Sequence, residues 1–259
     1  MKTIYEHFRS EEKPFIDKTI EWLDRTAHAK QARRTDFLDP RQAFIVTSLA
    51  NRYDHVECRI DGGYPDAERV RITLISPSYE LQDTASGIQV LSMVGSDKRI
   101  EDLDHGDYLG TLLGLGVKRE KIGDIHVHPW GAHILVVEEM APFFHTHATK
   151  VGKIPASTEI LPLGDFQRAD AHLEEMFCTV ASLRLDGIVS EVSRLSRAKV
   201  LKPIQSGRCK VNWRVEENPS CMLQEGDVVS LQGFGRFKIN AVDGLSKKGR
   251  IRLKIGKFV

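Results

Sequence analysis

Apolar residues recur at helical spacing through Phe15, Ile16, Ile20, Leu23 and Ala27, which predicts a helix over residues 12–31. Asp39-Pro40 sets a capping side chain directly before a proline in the first turn, so a second helix opens there and runs to about Asn51. The period then shortens to two. HVECRI (55–60) and RVRITLI (69–75) alternate as strands, and the cluster Asp61-Gly62-Gly63-Tyr64-Pro65 between them is of the kind that joins a hairpin. From Ile88 the chain reads strand (IQVLSMV), helix from the Asp104 cap to Gly116, and a strand ending near His128. After a turn at Pro129–Gly131 come strand HILVV, a helix from about Glu138 to Lys150, and a strand near 158–162. This β-α-β-β-α-β order predicts a ferredoxin-like plait, a frame that hosts many activities and names none. Beyond the punctuation of Pro155, Pro162 and Gly164, residues 183–231 show two short helical stretches, a Gly207 stop, strand RCKVNW, and the turn Glu225-Gly226-Asp227 before VVSL. The expected class is α+β in three parts. Residues 1–82 are expected to form a helical α/β module, 83–165 a ferredoxin-like plait of RNA-binding type, and 179–259 a helix pair beside a small sheet.

Composition narrows the setting. The 259 residues are 41% hydrophobic and 28% charged, as in an ordinary globular chain. Apolar runs such as Ile134–Val137 fall far short of the ~20 residues a bilayer crossing needs, and MKTIYEHFRSEEK is too charged for a signal peptide. A cytoplasmic protein is expected. Four scattered cysteines without a Cys-x-x-Cys pair read as reduced thiols. The net charge of +1 hides an asymmetry. Residues 1–178 hold 21 Lys+Arg and 29 Asp+Glu, a balance of −8, while residues 179–259 hold 16 and 7, a balance of +9. A basic third on an acidic body points to a polyanion, RNA or DNA, although a solvated basic surface has the same composition.

The candidate chemistry lies in that third. Arg194 and Arg197, three apart, are followed by Lys199 and Lys202 at the start of the second helical stretch, where phosphate oxygens are natural partners. Lys210 and Arg214 extend the cations along a strand, and Lys247 and Lys248 add a flank beside Arg250. Trp213 either stacks on a base or closes a small core. In GFGRF the aromatics Phe234 and Phe237 are expected to pack inside, leaving Arg236 as a contact. GLGVKREKIGD (114–124) lacks the P-loop order, so it reads as a helix C-cap with a basic turn, with Lys118, Arg119 and Lys121 as a possible second RNA contact. His126 and His128 share a strand face and His145 and His147 diverge on a helix, so no metal site is expected. The plait's IGDIHVH strand also lacks the aromatic signature of an RNA-recognition motif.

Two resemblances join these observations. Arg184-Leu185-Asp186, Ser196-Arg197, Gly207, Val211-Asn212 and Gly226-Asp227-Val228 resemble the RNA-binding domain first named for small-subunit ribosomal protein S-four. One departure is Pro203, where that family has an apolar helix former; proline inside a helix costs ~3 kcal/mol, so a kink near Lys202 is expected. Asp36-Phe37-Leu38, Gly62-Gly63-Tyr64 with Ala67-Glu68-Arg69, DYLGTLLGLGVKREKIGDI, GFGRF and KKGR resemble the bacterial YlmH family over nearly the whole chain. The resemblance implies a non-enzymatic RNA-binding protein without a cofactor. Its expected partners are rRNA or peptidyl-tRNA on the large ribosomal subunit, especially obstructed subunits, together with other quality-control factors. The expected RNA contacts are Arg184, Arg194, Ser196, Arg197, Lys199, Lys202, Arg208, Lys210, Asn212, Arg214, Arg236, Lys247 and Lys248. Two competing readings are an RNA-modifying enzyme of pseudouridine synthase type, because such enzymes carry the same domain, and a cell-division adaptor docking through the acidic body. Against the enzyme, the domain comes last here, the body has no Gly-Arg-Leu-Asp stretch or Gly-x-Gly-x-x-Gly loop, and Asp104 and Asp107 lie where helix caps are expected.

Overall fold

The computed structural model describes residues 5, 8–29, 32–76, 86–169 and 173–258, so the boundary expected at 82/83 and the end of the first predicted helix lie outside the described residues. The chain divides into two compact units, Met1–Ala169 and Asp170–Val259.

The first unit opens with helix α1 (Lys13–Ala29), a two-residue strand β1 (Arg33–Arg34) and helix α2 (Pro40–Ala50). Asp39 caps α2 as its sequence predicts: its carboxylate accepts from the Gln42 N–H at 2.8 Å, and the Gln42 side chain accepts from the Asp39 N–H at 3.0 Å. Strands β2 (Glu57–Asp61) and β3 (Arg71–Ile75) form the expected antiparallel pair, and Ile16, Leu23, Val46, Leu49, Ile72 and Leu74 close a core between helices and sheet.

The plait follows as β4 (Ile88–Gly95), α3 (His105–Gly114), β5 (Ile122–His128), β6 (Gly131–Val137), α4 (Ala141–His147), β7 (Lys150–Val151) and β8 (Ile154–Leu161). Sheet order β5-β6-β4-β8 with antiparallel neighbours is the ferredoxin-like arrangement, extended at one edge by β7. The helix expected to reach Lys150 stops at His147, because the next residues turn into the β7–β8 hairpin. Tyr108 and Leu112 of α3 and Phe144 of α4 pack on Leu91, Ile122, Ile134 and Val136. The opposite sheet face is also covered, where Val90, Leu135 and Val137 meet Phe37, Tyr64, Leu163 and Phe166. Between Ile122 and Ile125 a bulge in β5 brings Gly123 against the Phe37 ring, 2.7 Å from where a Cβ would stand.

The second unit is a six-stranded antiparallel sheet with two helices. Its elements are β9 (Leu173–Val180), α5 (Leu185–Ser193), α6 (Arg197–Gln205), β10 (Cys209–Val211), β11 (Arg214–Val215), β12 (Val228–Leu231), β13 (Gly235–Leu245) and β14 (Ile251–Phe258), in sheet order β11-β10-β12-β13-β14-β9. Strand β9 pairs with β14 from Leu173 to Val180, so the unit starts upstream of the boundary expected at 179. Leu185, Ile188, Val200 and Ile204 of the helices pack on Val229, Ile239, Leu253 and Ile255 of one sheet face. Helix α6 runs through Pro203 to Gln205; the proline is buried, and with only two helical residues after it the helix is near its end.

Candidate nucleic-acid interface

The helix pair of the second unit is anchored from below. Leu185 N–H donates to the Cys221 carbonyl at 2.8 Å and Asp186 N–H to the Pro219 carbonyl at 3.0 Å, which satisfies the first turn of α5. Arg184 holds Asp186 through two bonds of 3.0 and 3.1 Å. The Asp186 carboxyl is buried, and its pKa lies below the ordinary carboxylate value, first through the Arg184 hydrogen bond and also through the charges of Arg184 and Arg197. Arg197 reaches back over Gly187, where its Nη2 lies 3.2 Å from the site of a missing Cβ. Asp186 thus orients Arg184 at the base of the helix pair, with the Arg197 charge close enough to act on it.

The turn between the helices carries backbone strain. Leu195 N–H bonds to the Ser190 carbonyl at 3.1 Å and Arg194 N–H to the Glu191 carbonyl at 3.4 Å, a Schellman closure. Its left-handed position, usually glycine, is Arg194 at φ 55° and ψ 34°. A non-glycine residue there costs about 1–2 kcal/mol. Ser196 starts α6 without a side-chain cap, and Arg194, Ser196, Arg197, Lys199 and Lys202 are exposed along this turn and the first two turns of α6.

The β10–β11 hairpin repeats the theme. Val211 pairs with Arg214, leaving Asn212 and Trp213 as the central residues at φ 49° and 63°, both left-handed as a type I′ turn requires. Glycine is the usual second residue; here it is tryptophan. Trp213 is half-buried at the hairpin tip and is not among the residues of the unit's core cluster, so it does not close the small core.

Not every expected contact faces solvent freely. The Asn212 amide donates to Asp227 at 2.8 Å and accepts from the Val228 N–H at 2.9 Å, so it ties the hairpin to the buried Asp227 turn. The Val211-Asn212 and Gly226-Asp227-Val228 motifs are therefore each other's structural partners. Arg208 is exposed, with its Nε on the Ser206 hydroxyl at 3.0 Å. Lys210 and Arg214 are exposed on the hairpin, and Lys247 and Lys248 at the tip of the β13–β14 turn, which Ser246 and Arg250 close through a 2.7 Å backbone bond. Lys210 lies between inward-facing Cys209 and Val211, so it points away from the helices, as does Arg236, whose guanidinium stacks 4.0 Å from the Phe258 ring. The expected contacts therefore divide between a helix side and an outer sheet face. GFGRF is corrected in one respect: Phe237 is buried, but Phe234 is exposed between Gly233 and Gly235, both at positive φ.

In the first unit, Lys121 pairs with Asp36 at 2.6 Å, Arg119 donates to the carbonyls of Ile122 and Gly123, and Lys118 begins a short 3-10 turn. The YlmH-like motifs converge nearby. Asp124, on the β5 bulge and buried, accepts from the Tyr64 hydroxyl at 2.7 Å, the Glu68 N–H at 2.8 Å and the Arg69 N–H at 3.1 Å. Arg69 in turn bonds the carbonyls of Ile122 and Phe37. His126 and His128 join Trp130, His133 and Phe166 in an aromatic cluster, and among the described residues no group of three or more His, Cys, Asp or Glu could hold a metal ion.

Similarity to known proteins spans nearly the whole chain. Residues 86–165 match the family model described as "Putative RNA-binding domain in YlmH", and residues 11–79 match the model of the YlmH N-terminal domain. A Bacillus subtilis (strain 168) protein named ribosome-associated protein quality control protein P2 is 36% identical over 253 residues, 98% of each chain. This chain belongs to the YlmH family. A solved structure, cell division protein ylmH from Streptococcus pneumoniae, is similar at a TM-score of 0.54 and 29% identity, covering 63% of this chain and 98% of that one.

The outer sheet face contains what sequence reading missed. Strand β9 and the alternating cations of β14 carry the plain period-two signal of LEEMFCTV and IRLKIGK, but the former straddles the expected boundary at 179.

Proposed function

We propose that this chain is a non-enzymatic RNA-binding factor of ribosome-associated quality control, holding structured RNA on the large ribosomal subunit when that subunit is obstructed by peptidyl-tRNA. The observation that carries the reading is Arg194, an exposed arginine kept in a left-handed conformation where glycine is the relaxed choice, at the head of a row with Arg197 and Lys199. Folding alone gains nothing from that choice; a phosphate ligand does. Trp213, half-buried in an equally strained turn, supplies a stacking surface on the hairpin. The ribosome-associated role comes from the Bacillus subtilis relative's name and the near-complete coverage of both chains. The carboxylates that an enzyme would recruit near His105 are already engaged, since Asp104 and Asp107 cap α3 reciprocally, each accepting the other's backbone N–H at 3.1 Å.

Co-sedimentation with purified large subunits, with and without peptidyl-tRNA, tests this reading against the Arg194→Glu/Arg197→Glu variant. Two charge-assisted contacts of ~1.5 kcal/mol each predict about a hundredfold weaker binding. Equal binding by variant and parent overturns the assignment, and preference for empty subunits overturns the obstructed-subunit target.

A further inference from the structure

The helices of the C-terminal unit cover one face of its sheet, and the chemistry of the other face differs from that of an ordinary solvated surface. The register places Phe177 of β9 opposite Lys254 of β14, and Thr179 opposite Arg252. Phe177 is 71% exposed. Lys238 stands two residues beyond Arg236 on β13, facing the same way. Glu175, two residues before Phe177 on β9, pairs with Lys254 at 2.7 Å. An exposed phenyl ring set among long cations is the composition that stacks bases and holds the connecting phosphates of a single strand. The two sides of the unit also communicate. One open hollow at the edge strand β9 is lined by Phe177, Thr179 and Arg252 together with Glu191 and Arg194 of the helix turn, and by Asp243.

We infer that this open sheet face receives a single-stranded RNA segment, which leaves the helix turn at Arg194, passes the β9 edge, and lays a base on Phe177 with its phosphates toward Arg252, Lys254 and Lys238. The inference rests on the proposed RNA-binding role and extends it from structured RNA to a stem with an unpaired extension. Among the described residues, no further strand of this sheet pairs with the outer edge of β9, and Arg250, bonded to the Thr179 carbonyl and to Glu191 at 3.2 Å, adds a cation beside the hollow. Phosphate contacts make the binding salt-dependent, while the ring adds a contribution that salt affects little.

The test uses the full chain and two RNAs, a blunt stem and the same stem carrying a single-stranded tail, with Phe177→Ala, Arg252→Glu and Arg194→Glu/Arg197→Glu. The expected result is tighter binding of the tailed stem by parent protein. Phe177→Ala should remove at least about fivefold of the tailed affinity, the contribution of one stacked base, and leave the blunt stem unchanged. Arg252→Glu should act on the tailed stem alone and reduce its salt dependence. Because the ring is exposed, its loss leaves folding intact, which a thermal melt verifies. Equal affinity for the two RNAs, or unchanged tailed binding in Phe177→Ala, overturns the inference and leaves an acidic protein segment as the fitting partner for this face. Failure of the structured-RNA reading looks different: the helix-turn variant would bind the blunt stem like the parent, while the Phe177 effect on the tail persisted.

Discussion

The plait and the C-terminal unit are both sheets packed against helices, yet they treat charge and surface in opposite ways. Residues 86–165 carry 7 Lys+Arg and 11 Asp+Glu, a balance of −4, against +9 for residues 179–259. The plait's sheet is covered on both faces, by α3 and α4 on one and by Phe37, Tyr64 and Phe166 on the other. The C-terminal sheet has helices on one face only, and its cations lie exposed along the helix turn and the hairpin, with Arg252 exposed and Arg236, Lys238 and Lys254 half-buried on the open strands. The polar motif residues of the two regions serve two different ends. Around the plait, Asp124, Tyr64 and Arg69 bind one another and the backbone; in the basic unit, Asp186 and Asn212 brace a surface on which Arg194, Arg197, Lys199 and Lys202 are exposed. The excess of positive charge that would attract a polyanion at long range lies in the C-terminal unit.

The sharpest way to break this contrast is to remove Asp124. Asp124→Ala strips three donors of a buried carboxylate partner and should cost the first unit about 3 kcal/mol, read as a lower denaturation midpoint. RNA affinity of the folded protein should stay within about twofold. A large affinity loss without a stability loss would place Asp124's loop in the interface.

Mild acid, in the histidine range, should also act on the first unit. Ala169 N–H donates to His126 Nδ1 at 3.1 Å and Gln167 N–H to His133 Nδ1 at 3.0 Å, so both rings are bound as neutral imidazoles. Burial holds both below the ordinary histidine value of 6.5, helped at His133 by its histidine neighbours and opposed at His126 by Asp124. Unfolding below that value takes up protons the native state refuses, so this contribution to stability is full above pH 6.5 and is lost as pH falls through the lower native values. Protection of the Gln167 and Ala169 amides from hydrogen exchange should fall with it. His126→Gln/His133→Gln should flatten that pH dependence, and an unchanged profile would show that the Gln167 and Ala169 bonds to these rings do not carry it.

The smallest expected effect is the most specific. Arg194→Gly relieves the left-handed turn and should raise the stability of the C-terminal unit by about 1 kcal/mol while weakening RNA binding about tenfold. Opposite signs in one variant separate a surface maintained for a ligand from one maintained for folding. A variant less stable than the parent would show that the Arg194 side chain serves the fold.

Much of this arrangement is legible from pattern. The Asp39 and Asp104 caps, the plait order and the basic helix row all follow from local rules, because caps and hydrophobic period act over a few residues. What local rules do not reveal depends on distant partners. Nothing near Asn212 indicates that its amide closes on Asp227, 15 residues away, and nothing near Arg184 shows that Asp186 occupies one edge of its guanidinium. Trp213 escapes local rules because a two-residue turn with tryptophan in the glycine position defies the ordinary preference. The role of β9 is hidden for a similar reason, since its pairing partner β14 lies at the far end of the unit.

The most direct test of the central claim, that the basic C-terminal unit and not the plait supplies the electrostatic attraction, is the salt dependence of binding to large ribosomal subunits. Parent protein, Arg197→Gln and Lys118→Gln would be compared over the same salt range. The account predicts that Arg197→Gln lowers the slope of log affinity against log salt by roughly 0.7–0.9, the release expected for one phosphate contact, and that Lys118→Gln leaves it unchanged. A flattened slope for Lys118→Gln beside an unaltered slope for Arg197→Gln would contradict it and move the interface to the plait.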